Sequence, residues 1–166
     1  MLKWILRGAV LSLALALNTV SAQQFPTKPI TLICPWPAGG ASDLVMRAFA
    51  ESVGKQLGQQ VIVENKPGAS GTLGAGALIN AKPDGYTLTQ LPISVFRLPL
   101  MQKTPFDPLK DITYIINVTG YTFGMIVRTD APWKDLAEFV AYARANPDKI
   151  TYGSPGTGTT PHLAVE

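Results

Sequence analysis

The chain has 166 residues, enough for one ordinary domain or the front part of a larger one. At 46% hydrophobic and 15% charged, with 15 Gly and 14 Pro, it is too apolar for a disordered chain and too interrupted for a coiled coil or long bundle. Lys3 and Arg7 fall in a leader; the remaining 12 basic residues meet 11 acidic ones, and no basic stretch alternates with aromatics, so no nucleic-acid partner is expected.

Single copies of cysteine (Cys34) and histidine (His162) exclude a disulfide framework and a multi-cysteine or histidine-rich metal centre. No cofactor is expected either. Residues 1–22 run from a positive start through an apolar stretch, Gly8 to Leu17, to small residues at Val20 and Ala22. This is a signal-peptide pattern with cleavage after Ala22. The apolar stretch is shorter than the ~20 residues of a membrane span, although an uncleaved anchor is the alternative.

Beyond the leader, strand and helix signals alternate. Pro29 to Cys34 reads as a strand, broken by Pro35-Trp36-Pro37-Ala38-Gly39-Gly40. Leu44, Val45, Ala48, Phe49, Val53 and Leu57 then recur at helical spacing, with Gly58 as a stop. Val61 to Glu64 is a second strand, Thr72 to Ala81 a small-residue helix, and Tyr86 to Leu88 the start of a third strand after the Pro83-Asp84-Gly85 turn. Phe106 to Asp111 reads as loop plus a helical turn; Tyr114 to Val118 and Met125 to Arg128 are further strand candidates. Trp133 to Ala145 has the pattern of an amphipathic helix, and Lys149 to Tyr152 that of a strand. A Gly-rich loop, Gly153 to Thr160, leads through Pro161 into a helix that is only begun at Glu166. The alternation predicts an α/β fold with a mainly parallel sheet, and the abrupt end predicts a truncated chain.

Two loops join a strand to a helix start, where open α/β sheets collect ligands. In the first, Gly39 and Gly40 let backbone N–H groups approach a ligand, while Ser42 or Asp43 can cap the helix. Trp36 can line a pocket there or anchor the loop. In the second, Ser154, Gly156, Thr157, Gly158, Thr159 and Thr160 precede a helix start carrying His162. Free amides and the helix dipole attract anions, at roughly 0.3–1 kcal/mol where exposed, and a carboxylate suits them without a lysine. Both loops can equally be plain connectors. A hydrolase triad built on Ser154 and His162 lacks the G-x-S-x-G elbow, and His162 is also explained as a packing or hydrogen-bonding residue.

Five blocks carry a resemblance. They are Pro29 to Asp43, Val61 to Gly71, Pro83 to Leu88, Phe106 to Asp111, and Tyr152 to Thr159 with His162-Leu163. In this order they resemble the extracytoplasmic solute receptors of tripartite tricarboxylate transporters, the Bug receptors. The resemblance implies a periplasmic binding protein of type II, with two lobes closing on a small carboxylate held through backbone groups and water. It implies no enzymatic chemistry, and delivery to a membrane permease of one large and one small subunit. Ligands of such receptors range over tricarboxylates such as citrate, dicarboxylates, acidic amino acids and aromatic acids.

The resemblance assigns residues 23–125 to lobe one and 126–166 to an incomplete lobe two, truncated because members run to roughly twice this length. It makes Trp36, Pro37, Gly39, Gly40, Ser42 and Asp43 the lobe-one contacts and the second loop, from Ser154 to Thr160 with His162, those of lobe two. The stretch Gln90 to Gln102, with Ser94 and Arg97, stands where a third binding loop would lie. Arg97 reads as a partner for a second carboxylate or as a surface salt bridge. The chain is expected to be a monomer. The competing expectations are a non-functional truncated fragment of such a receptor and a small α/β hydrolase.

Overall fold

Strand β1, Ile30–Cys34, lies at the centre of a parallel three-stranded sheet. It pairs with β2 (Val61–Asn65) on one side and β3 (Thr87–Thr89) on the other, giving the order β2-β1-β3. The register sets Leu32 against Val63 and Leu88. A central parallel strand is covered on both faces, which accounts for its unbroken apolar sequence. The computed structural model describes residues 25–166, so the expected leader over residues 1–22 and its cleavage after Ala22 lie outside the described residues.

Side chains of β1 alternate between two helical layers. Leu32 and Cys34 pack with Met46 and Ala50 of helix α1, Ala41–Leu57. Ile33 points the other way, toward Gly74 of helix α2, Leu73–Ile79. Ile33 is 1% exposed, and burial of such a side chain contributes about 1.5–3 kcal/mol. Helix α1 ends where expected: Gly58 takes the left-handed conformation at φ 64°. A second core beneath α2 joins Ala75, Val95, Phe106 and Ile112.

Several expectations change. Helix α2 is shorter than residues 72–81 and is preceded by a 3-10 turn, Ala69–Gly71. The stretch from Gln90 to Gln102 is mostly not a loop: Ser94–Met101 forms helix α3, which holds Pro99 within it. Pro99 breaks the helical pattern in sequence, while the buried face of Val95 and Leu98 holds it in space.

Tyr114 to Val118, Met125 to Arg128 and Lys149 to Tyr152 form no strands. β-branched residues make a strand only where a neighbouring ladder takes their backbone groups. Among the described residues none of the three is paired, and Ile115 and Ile126 stand in solvent.

Helix α4 spans Leu136–Ala145, with Asp135 as its cap accepting from the Glu138 amide at 2.9 Å. Trp133 precedes it and packs edge-on against Phe139. None of the residues of α4 is fully buried. The last helix, α5, covers Thr160–Val165.

Candidate functional site

The first loop is shaped by a buried carboxylate. Asp43 is 2% exposed, and three donors converge on it: the Gly39 amide at 2.8 Å, Arg47 Nε at 3.0 Å and Asn65 Nδ2 at 2.8 Å. Asn65 Nδ2 also donates to the Trp36 carbonyl at 3.0 Å, and Arg47 Nη2 donates to Asn65 Oδ1. The Arg47 guanidinium, then the Gly39 amide and Asn65, hold the Asp43 carboxyl down at about 2. Asp43 therefore ties the loop to β2, with its oxygens already engaged. Gly39 sits at φ 81°, a conformation that favours glycine. Gly40 begins α1 without a side-chain cap, leaving the Ala41 and Ser42 amides without a protein acceptor among the described residues.

The second loop is anchored through its glycines and threonines. Gly156 lies so close to the 3-10 turn that a Cβ there would stand 2.5 Å from Ser70 Oγ. Gly158 packs on Leu98 and Met101. The Thr159 hydroxyl donates to the Gly156 carbonyl at 2.7 Å, closing the turn on itself. Thr160 accepts from Arg97 Nη1 at 3.0 Å. Thr157 is exposed, and the Gly156 amide donates to Ser154 Oγ at 3.3 Å. His162 approaches Glu166 at 4.0 Å, and among the described residues no hydrogen bond joins it to Ser154. That arrangement supplies no activated serine.

One open concavity of about 1400 Å³ is lined from both loops. Trp36, Pro37, Gly40 and Ser42 line it from the first, Thr159 and Thr160 from the second, and Ser94 and Arg97 from α3. Of the expected site residues, Gly39, Asp43, Ser154, Gly156, Thr157, Gly158 and His162 do not line it. Ser94 lines it but is 1% exposed, and its hydroxyl donates to the Ser70 carbonyl at 2.5 Å, bracing the start of α3. Arg97 meets a hydroxyl here rather than a carboxylate.

A family model described as the tripartite tricarboxylate transporter family receptor, TctC, matches residues 45–166. The chain belongs to that receptor family. A UPF0065 protein of Cupriavidus necator is 50% identical over 158 residues, covering 95% of this chain and 48% of its own length. Among solved structures, the periplasmic binding protein BugD is 33% identical with a TM-score of 0.71, over 85% of this chain and 48% of its own. MatC of Rhodopseudomonas palustris, solved with bound malate, is 32% identical with a TM-score of 0.64, over 73% and 42%. This TctC-family chain thus has the α/β architecture of a periplasmic binding protein and spans about half the length of the relatives it matches.

Gln90 and Tyr121 line the concavity of this TctC-family chain and are not singled out as site residues in the sequence, although Gln90 opens the stretch expected to form a third binding loop. Gln90 follows β3 at the carboxyl edge of the sheet, where strand-end residues meet ligands, so its position alone was a usable signal. Tyr121 had no such signal. It reaches the site from a segment without helix or strand, and only the folded chain brings it near Gln90 and Ser42.

Proposed function

We propose that this chain is the ligand-capturing part of a receptor for small carboxylates, with residues 23–125 forming lobe one and 126–166 beginning lobe two. The observation that carries this reading is one concavity lined by Gly40 and Ser42 of the first loop, by Thr159 and Thr160 of the second, and by Arg97 of α3. Uncapped amides at the start of α1 and hydroxyls from both loops offer donors to an anion, and Arg97 adds a cation at the same wall. Asp43, Ser94 and Thr159 then serve as braces, and Gly39, Gly156 and Gly158 as the backbone that lets the loops close. The family relation and malate in MatC support a carboxylate as the ligand class.

In this reading the receptor performs no covalent chemistry. It is exported to the periplasm behind a leader cut after Ala22, and hands its ligand to a permease of one large and one small subunit. Closure of one lobe on the other excludes water and strengthens the hydrogen bonds to the bound acid.

Calorimetric titration of the full chain with citrate, malate, glutamate and benzoate tests it. At least one acid is expected to release heat in a saturable titration. Ser42→Ala and Thr160→Val should each weaken that acid about two- to tenfold, the worth of one neutral hydrogen bond. Silence with all four acids would overturn the receptor reading. Unchanged affinity in both variants would overturn the site.

A further inference from the structure

We propose that Ser42 and Gln90 form a two-donor subsite for one carboxylate oxygen, and that the Tyr121 phenol fills it while no ligand is bound. This rests on the receptor reading above and adds Gln90 and Tyr121 to the site. Gln90 Nε2 donates to the Tyr121 hydroxyl at 2.6 Å, and Ser42 Oγ lies 2.8 Å from the same oxygen. The two side chains come from different elements, Ser42 from the first turn of α1 and Gln90 from just after β3, yet they meet at one oxygen atom within the concavity.

Gln90 is held in place by its surroundings. Its amide N–H donates to the Ile33 carbonyl at 2.9 Å, extending the β1–β3 ladder by one residue. Its Oε1 faces the thiol of Cys34 at 3.9 Å. Cys34 is fully buried, and burial pushes its thiol up, so it remains an S–H donor. With Oε1 engaged by that thiol, the NH₂ of the amide is turned toward the concavity. Ser42 is free to rotate its hydroxyl and donate.

Tyr121 is the more weakly held partner. Its side chain is 41% exposed, its ring stacks on Phe123, and its segment belongs to no helix or strand. A carboxylate oxygen accepts from both donors as the phenol does, but with a negative charge that makes each bond stronger. The exchange therefore favours the acid, with Tyr121 displaced to solvent.

The test uses the full chain and whichever of citrate, malate, glutamate and benzoate binds it most tightly by calorimetry. Tyr121→Phe keeps the ring and removes the competing oxygen, so affinity should rise about three- to tenfold. Gln90→Leu should lower it about tenfold, and adding Tyr121→Phe to that variant should restore little. In protein labelled with 3-fluorotyrosine, the Tyr121 fluorine resonance should move when the acid is added and should already be moved in Gln90→Leu. If an acid binds but Tyr121→Phe leaves affinity unchanged or lowers it, or if the fluorine signal stays still, the subsite is overturned and the receptor reading stands. If no acid binds wild-type or variant, both fall.

Discussion

Arg97 donates from Nη1 to the Thr160 hydroxyl at 3.0 Å, joining helix α3 to the second Gly-rich loop across 63 residues of chain. The contact places a guanidinium at the wall of the concavity, with most of its donors uncommitted among the described residues. In the receptor reading, those donors face the second carboxylate of a diacid. Arg97→Met is expected to lower the affinity of whichever diacid binds about tenfold or more, the loss of a charged hydrogen-bond partner. Arg97→Lys should recover part of it, because lysine keeps the charge but not the planar fork. Calorimetry with that diacid checks both, and an unaffected Arg97→Met variant would remove Arg97 from the site.

Two glycines of helix α2 should respond to alanine with opposite signs. A Cβ at Gly74 would stand 2.6 Å from Thr89 Oγ1 and 3.4 Å from Pro35 Cβ, against the face of the sheet. Gly74→Ala is expected to destabilise by about 1–3 kcal/mol through overpacking. A Cβ at Gly76 meets nothing within 4 Å, so Gly76→Ala should stabilise the helix by about 0.5–1 kcal/mol. Thermal melting reads the difference, at about 2–4 °C per kcal/mol for a chain of this size. Equal shifts would contradict the layer arrangement.

Asp43 makes a prediction about acid. Its folded-state pKa of about 2 lies below the roughly 3.9 of an unfolded aspartate, so the unfolded chain takes up the proton first. The stabilisation from the Arg47, Gly39 and Asn65 contacts is thus complete above about pH 4 and is lost as pH falls through about 2. Asp43→Asn should melt below wild-type at pH 6, and the gap should narrow between pH 4 and pH 2. A gap of constant size from pH 6 to pH 2 would mean the carboxylate charge does not hold the loop.

Ser154 should not react with a fluorophosphonate probe. Its hydroxyl accepts from the Gly156 amide, and His162 lies toward Glu166 instead. Activation of a serine needs a base within hydrogen-bond reach of its oxygen. Gel fluorescence after probe treatment is expected to show no labelled band; a band lost in Ser154→Ala would restore the hydrolase alternative.

Local rules read much of the chain correctly. The apolar run ending at Cys34, the Gly58 stop and the turn before β3 each state their conformation in a few neighbouring residues. Local patterning also overreached. Tyr114 to Val118 has the composition of a strand, but a strand is a relation between two segments, and this one has no partner among the described residues. At α3 the error ran the other way: Gln90 to Gln102 is expected as a binding loop, and the buried face of Val95 and Leu98 makes Ser94–Met101 a helix.

By itself the sequence determined the α/β alternation, the order of the first elements, the two Gly-rich loops that lead into helices and the kinship with the receptor family. These depend on residue type and short spacing, which a linear chain displays. Only the tertiary structure decided that Asp43 braces its loop, that Ser94 is spent on Ser70, and that Tyr121 stands between Ser42 and Gln90. Those roles depend on which donor meets which acceptor across tens of residues, and hydrogen bonds formed at under 3 Å leave no periodic trace in the order of the amino acids.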